Sequence, residues 1–153
     1  FSRNMGADAK LGDRMTAAAP ATTASVAQEL VALCRAGRNL DAVNKLYSPK
    51  IVSIEPMGSE SMPAEMTGLD AVRGKNQWWF ENNEVHKAEV NGPFVGEGQF
   101  AVHYTYETTF KPSGQRVTMS EMALYTVKDG KITKEQFYYN VPASESDESE
   151  ESD

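Results

Sequence analysis

Between Val117 and Asn140 the sequence VTMSEMALYTVKDGKITKEQFYYN sets two runs rich in β-branched and aromatic residues on either side of Lys128-Asp129-Gly130-Lys131. Asp-Gly between alternating strands signals a β-hairpin, and the way the turn closes decides which side chains share a face. Two closures compete. A two-residue Asp129-Gly130 loop of type I′ pairs Val127 with Ile132 and sets Glu121 opposite Tyr138. A three-residue Lys128-Asp129-Gly130 turn, with Gly130 left-handed in a bulge, shifts the pairing by one, so that Ala123 faces Glu135 and Glu121 faces Phe137. The second closure puts Glu121, Tyr125, Glu135, Phe137 and Tyr139 on one surface. It is preferred here because it groups carboxylates with aromatic rings, as the wall of a pocket would.

Upstream, residues 100–110 alternate cleanly, with Phe100, Val102, Tyr104, Tyr106 and Phe110 on one face and Ala101, His103, Thr105, Glu107 and Thr109 on the other. Pro112-Ser113-Gly114 turns this strand into the hairpin. A two-residue Ser113-Gly114 loop would pair Tyr106 with Glu121 and Tyr104 with Ala123, joining the aromatic face to the carboxylate face. Strands are also expected at Ile51–Glu55, stopped by Pro56, and from Val85 to Val95 with a break at Asn91-Gly92-Pro93. Between residues 57 and 66 runs a long mixed loop that could form a rim or lid.

Three helical stripes precede the main strands. Ser25 is the expected cap of the first, which carries Val26, Ala27, Leu30, Leu33 and Cys34. The second begins near Asn39 and carries Leu40, Val43, Leu46 and Tyr47. Leu69 to Asn82 forms the third, where Trp78 and Trp79 must diverge because successive helical residues lie ~100° apart. One of the two is core, the other a cavity wall or interface. Helices followed mainly by antiparallel strands describe an α+β domain with helices on one side of a curved sheet.

Charge narrows the function classes. The last ten residues hold six of the 22 acidic groups and none of the 15 basic ones, so the rest of the chain is nearly neutral at 16 acidic against 15 basic. A body without a basic block gives nucleic acid little to hold. No run approaches the ~20 apolar residues that span a bilayer. One cysteine, Cys34, permits no intrachain disulfide, which fits a reducing, cytoplasmic setting. With two histidines, His86 and His103, no metal set is recognisable, and neither metal nor cofactor is expected. Residues 1–24 read as a disordered leader, 25–142 as a single domain and 143–153 as a disordered acidic tail.

Four stretches carry a resemblance. Asn39-Leu-Asp-Ala-Val-Asn-Lys-Leu-Tyr47, Glu55-Pro-Met-Gly-Ser-Glu60, Gly68-Leu-Asp-Ala-Val72 and Asp129-Gly-Lys-Ile132 resemble, in order and spacing, the nuclear-transport-factor-2-like superfamily, especially ketosteroid isomerase and the SnoaL-like polyketide cyclases. The resemblance implies a cone, with three N-terminal helices covering a strongly curved antiparallel sheet around a mostly apolar cavity, usually as a homodimer through the sheet. It also implies that Glu55, before Pro56 at the end of the first strand, stands where ketosteroid isomerase keeps its proton-shuttling acid. The oxyanion donors of that enzyme would correspond to Leu30 and Ala123, which cannot donate.

The candidate catalytic residues are therefore Glu55, Glu121 and Glu135. Glu121, in an otherwise apolar strand, should have its pKa raised by desolvation if Tyr106, Tyr125 and Phe137 enclose it, and could then act as a general acid. A structural reading, a carboxylate tied to a tyrosine or lysine, stands beside it. Tyr47, Trp79, Tyr104, Tyr106, Tyr125 and Phe137 are the expected substrate-binding wall. Two functions remain open: proton transfer on a small apolar substrate, as isomerase, cyclase or dehydratase, or a non-catalytic ligand-binding or dimerisation module.

Overall fold

A capping box starts the first helix. Thr22 accepts from the Ser25 amide at 3.0 Å while the Ser25 hydroxyl accepts from the Thr22 amide at 2.8 Å, satisfying two amides that a helix start leaves without partners. The computed structural model describes residues 20–140. Helix α1 spans Thr23–Arg35, so it begins inside the expected leader, and Ser25 is the third residue of the helix rather than its cap. Residues 1–19 of the expected leader and the acidic tail lie outside the described residues. Thr22→Ala should cost about 1 kcal/mol in urea unfolding; a loss below about 0.3 kcal/mol would show that the box adds nothing to the packed helix.

Helix α1 buries Val26, Ala27, Leu30, Val31 and Cys34, one stripe at helical spacing, against the sheet. Its last residue, Arg35, reaches the Val90 carbonyl with Nε at 3.1 Å and Nη2 at 3.0 Å, pinning the helix to a sheet edge. Helix α2, Asn39–Leu46, buries Ala42, Val43 and Leu46 and runs directly into β1, Tyr47–Ile54. Tyr47, expected as the last residue of the helical stripe, instead opens this strand. Pro49 lies inside β1, and because it has no N–H the ladder to the neighbouring strand is irregular between Tyr47 and Val52.

Glu65 and Met66, expected in the long loop, form with Thr67 the short edge strand β2, Glu65–Thr67. Helix α3 is Leu69–Asn82, as the spacing implies. Then come β3, Asn83–Val95, β4, Gln99–Phe110, β5, Gln115–Lys128, and β6, Lys131–Tyr138. The six strands form one curved, unclosed sheet in the order β2-β1-β6-β5-β4-β3. All neighbours are antiparallel except β1 and β6, which run parallel. Parallel neighbours need a long connection, and here nearly the whole domain lies between the two.

Both hairpin registers differ from the expected ones, yet the faces are those expected. Asp129 (φ 53) and Gly130 (φ 75) are both left-handed, the signature of a two-residue type I′ turn, and Val127 pairs with Ile132. That register alone would turn Glu135 away from the core, since it lies three residues beyond the buried Ile132. A bulge at Thr133 corrects it: from Thr126↔Lys134 onward, Tyr125 pairs with Glu135 and Ala123 with Phe137. In the other hairpin, residues 111–114 make a four-residue turn, so Tyr104 pairs with Glu121 and Tyr106 with Met119. A shift of two residues preserves the face. Among the described residues no helix is long and apolar enough to cross a membrane.

Candidate functional site

The bent sheet and the helices enclose a cavity of about 400 Å³. Each element contributes at a fixed period. Inward residues of β4 and β5, two apart, supply Tyr104, Tyr106, Glu121 and Tyr125, while β6 supplies Glu135 and Phe137, with Tyr139 just beyond its end. From β1 come Tyr47 at the start and Glu55 at the exit. All nine residues expected at the site line this one space, Trp79 on α3 included. Trp79 packs on Tyr106, ring centroids 5.4 Å apart, whereas Trp78 is 44% exposed at the cavity's edge. His103, expected on the opposite face, bonds Ser120 there.

Two residues absent from the expected set organise the polar end. The Lys75 ammonium on α3 lies 3.0 Å from Glu55 Oε2, 2.5 Å from Ser53 Oγ and 3.8 Å from Glu135 Oε2. Ser53 in turn donates to Glu135 Oε2 at 2.6 Å, and Tyr47 donates to Glu135 Oε1 in a short hydrogen bond. Tyr139 donates to Glu55 Oε1 at 2.8 Å. Both signals are in the sequence. Lys75 stands on the inner stripe of α3, three residues after buried Val72 and four before Trp79, and Ser53 follows Ile51 at the inward period of β1.

The three carboxyl groups have different surroundings. Glu135 is buried at 1% exposure, and burial raises its pKa against the opposing pull of Lys75, Ser53 and Tyr47. Glu121 takes no side-chain hydrogen bond among the described residues. Desolvation first, then the charges of Glu55 and Glu135, push it up to about 7, with Lys75 acting in the other direction. Deeper in, the Tyr104 and Tyr125 hydroxyls bond each other at 2.7 Å, and burial raises both pKa values well above the ordinary tyrosine range. Cys34, 3.9 Å from the Tyr104 hydroxyl, is pushed up to about 11 by burial, so it stays a thiol at neutral pH. Leu30 and Ala123 are buried and apolar. Among the described residues no three His, Cys, Asp or Glu converge closely enough to hold a metal ion.

The SnoaL-like domain family matches residues 21–139 of the chain. A protein of Mesorhizobium loti assigned as a SnoaL-like polyketide cyclase is 45% identical, with a TM-score of 0.73 over 77% of this chain and 99% of that one. A Catenulispora acidiphila protein with a ketosteroid isomerase-like fold, solved in complex with trimethylamine, is 19% identical, with a TM-score of 0.60 over 78% of this chain and 88% of the other. An NTF2-like protein from Burkholderia pseudomallei is 13% identical at a TM-score of 0.62, covering 77% and 90%. The last two establish the shared fold alone. No curated protein sequence matches the chain.

Proposed function

The chain belongs to the SnoaL-like domain family, and we propose that its cavity takes a small, largely apolar molecule and moves protons on it by carboxylate acid–base chemistry, in the manner of an isomerase, cyclase or dehydratase. The observation that carries this reading is Glu121, a carboxyl without a hydrogen-bond partner among the described residues, raised to about 7 and facing the same cavity as Glu55. A carboxyl poised near neutral pH gives up and regains a proton with little driving force in either direction, which is what a general acid requires. Glu121 then protonates a basic atom of the substrate. Glu55, with Lys75 and Tyr139 on its two oxygens, is the base that takes a proton from carbon. Two carboxyls set apart by their environments can divide the two roles. Glu135 already accepts from Tyr47 and Ser53 and acts as a positioning residue for Lys75.

A binding module of the same fold is the second reading, favoured by apolar Leu30 and Ala123 where ketosteroid isomerase has its oxyanion donors. Native mass spectrometry and thermal shift of wild type, Glu55→Gln and Glu121→Gln against small apolar amines, carbonyl compounds, lactones and epoxides separate the two. The expected result is a compound bound by all three proteins and converted by wild type alone. Binding by all with conversion by none would favour the module, and equal conversion by all three would remove both carboxylates from the chemistry.

A further inference from the structure

Charge in the cavity is out of balance. Its lining holds three carboxyl groups, Glu55, Glu121 and Glu135, against one ammonium, Lys75. Lys75 is already committed, 3.0 Å from Glu55 and 2.5 Å from Ser53. Hydroxyls at this end are engaged too: Tyr47 and Ser53 donate to Glu135 and Tyr139 to Glu55, while Tyr104 and Tyr125 share one hydrogen bond. Apart from the Tyr106 hydroxyl, which accepts from Asn39 at 3.4 Å, and Glu121 itself while it holds a proton, an oxyanion forming on a bound carbonyl would meet carboxylates at this end of the cavity. Negative charge on the ligand is therefore opposed and positive charge is drawn in, the more strongly because the walls are apolar.

The wall beside Glu121 suits a cation. Trp79 and Tyr106 lie with ring centroids 5.4 Å apart and planes tilted by 55°. Tyr106, which pairs with Met119 next to the Tyr104–Glu121 pair, is the diagonal neighbour of Glu121 on the same face of the sheet. The face of an indole or phenol ring attracts an ammonium. We infer that the ligand of this cavity is a small apolar amine whose nitrogen, as an ammonium, sits between the Glu121 carboxylate and the Trp79–Tyr106 wall. The inference rests on the acid–base reading above and names its basic atom as nitrogen rather than carbonyl oxygen. A neutral amine entering the cavity takes the Glu121 proton: the carboxyl O–H bond breaks, an N–H bond forms, and carboxylate and ammonium remain as a pair. An amine that arrives protonated sends that proton to solvent instead. Facing Glu121 are Glu55 from the end of β1, Glu135 from β6 and Lys75 from α3, with the Tyr104, Tyr106, Tyr125 and Tyr139 phenols around them; the one cation among them is held by other partners.

Calorimetric titration of the full chain at pH 7 with benzylamine, benzyl alcohol and benzoate, in two buffers of different ionisation enthalpy, tests it. These probes share one apolar body and differ in charge. Benzylamine should bind about tenfold or more tighter than benzyl alcohol, with benzoate the weakest. Because Glu121 lies near 7, amine binding should release about half a proton and alcohol binding none. In Glu121→Gln the preference for amine over alcohol should fall below about twofold. Equal affinities for amine and alcohol, or amine binding without proton release, would overturn the inference and leave the acid–base reading standing. Failure of all three probes to bind would overturn both. The proton release is read on wild type, so the test survives a variant that does not fold.

Discussion

At pH 8 the Glu121→Gln protein is expected to be more stable than wild type by about 2–3 kcal/mol, while at pH 4.5 the two should agree within about 0.5 kcal/mol. Burial and the neighbouring carboxylates raise Glu121 from 4.5 to about 7 in the folded protein. Between those values the folded state holds a proton that the unfolded chain has released. Stability therefore falls as pH rises through that window and is level above it. Gln keeps the shape and carries no charge, so it removes the fall. A full shift of this size corresponds to about 3 kcal/mol, and partial exposure of Glu121 to solvent lowers the figure. In a domain this size the gain at pH 8 amounts to a melting temperature about 10 °C higher. Differential scanning fluorimetry of both proteins at pH 4.5 and pH 8 measures it. A Gln variant less stable than wild type at pH 8 would mean that the Glu121 charge is paired in the folded protein and that its role as an acid is misassigned.

The faces of the sheet were legible in the sequence because a strand's side-chain period tolerates errors of two residues. Tyr104 pairs with Glu121 rather than with Ala123, a slip of two, and the aromatic face met the carboxylate face regardless. Glu135 is the harder case. The turn is type I′, and the sequence carries no sign of the bulge at Thr133 that returns Glu135 to the cavity, because a bulge is set by pairing across two strands. The preferred register reached the right face through a different irregularity. Lys75 is hard to read from the sequence for another reason. A lysine on an apolar helical stripe reads as an amphipathic side chain reaching solvent until the facing strand is known to bring Ser53, Glu55 and Glu135 to its tip. Helix positions follow from local spacing, whereas a buried ion network depends on contacts far apart in the chain.

That network makes Lys75→Met the substitution expected to cost most at high pH. The Lys75 side chain is 13% exposed, Glu55 22% and Glu135 2%, so the charges face one another with little water between them. Removing one partner of such a buried set costs about 3–5 kcal/mol. Met keeps the stem and loses the ammonium lying 5.2 Å from the centre of the Phe137 ring. The cost should depend on pH. Lys75 is the strongest influence holding the Glu135 pKa down, and it also lowers Glu121, so without it both carboxyls bind protons more tightly when folded. A folded-state pKa raised further adds a penalty that is absent near pH 4.5 and grows as pH rises. Urea unfolding should give a loss of about 1 kcal/mol at pH 5 and about 3–4 kcal/mol at pH 8. Losses below about 1 kcal/mol at both pH values would show that water or rearrangement replaces the lysine. The double variant Lys75→Met/Glu135→Gln separates charge from packing. A neutral Gln needs no counter-charge, so recovery of most of the loss at pH 8 would assign the effect to the uncompensated carboxylate. If the two losses simply add, α3 and β6 are joined by shape at this point, and the lysine's charge matters to the ligand rather than to the fold.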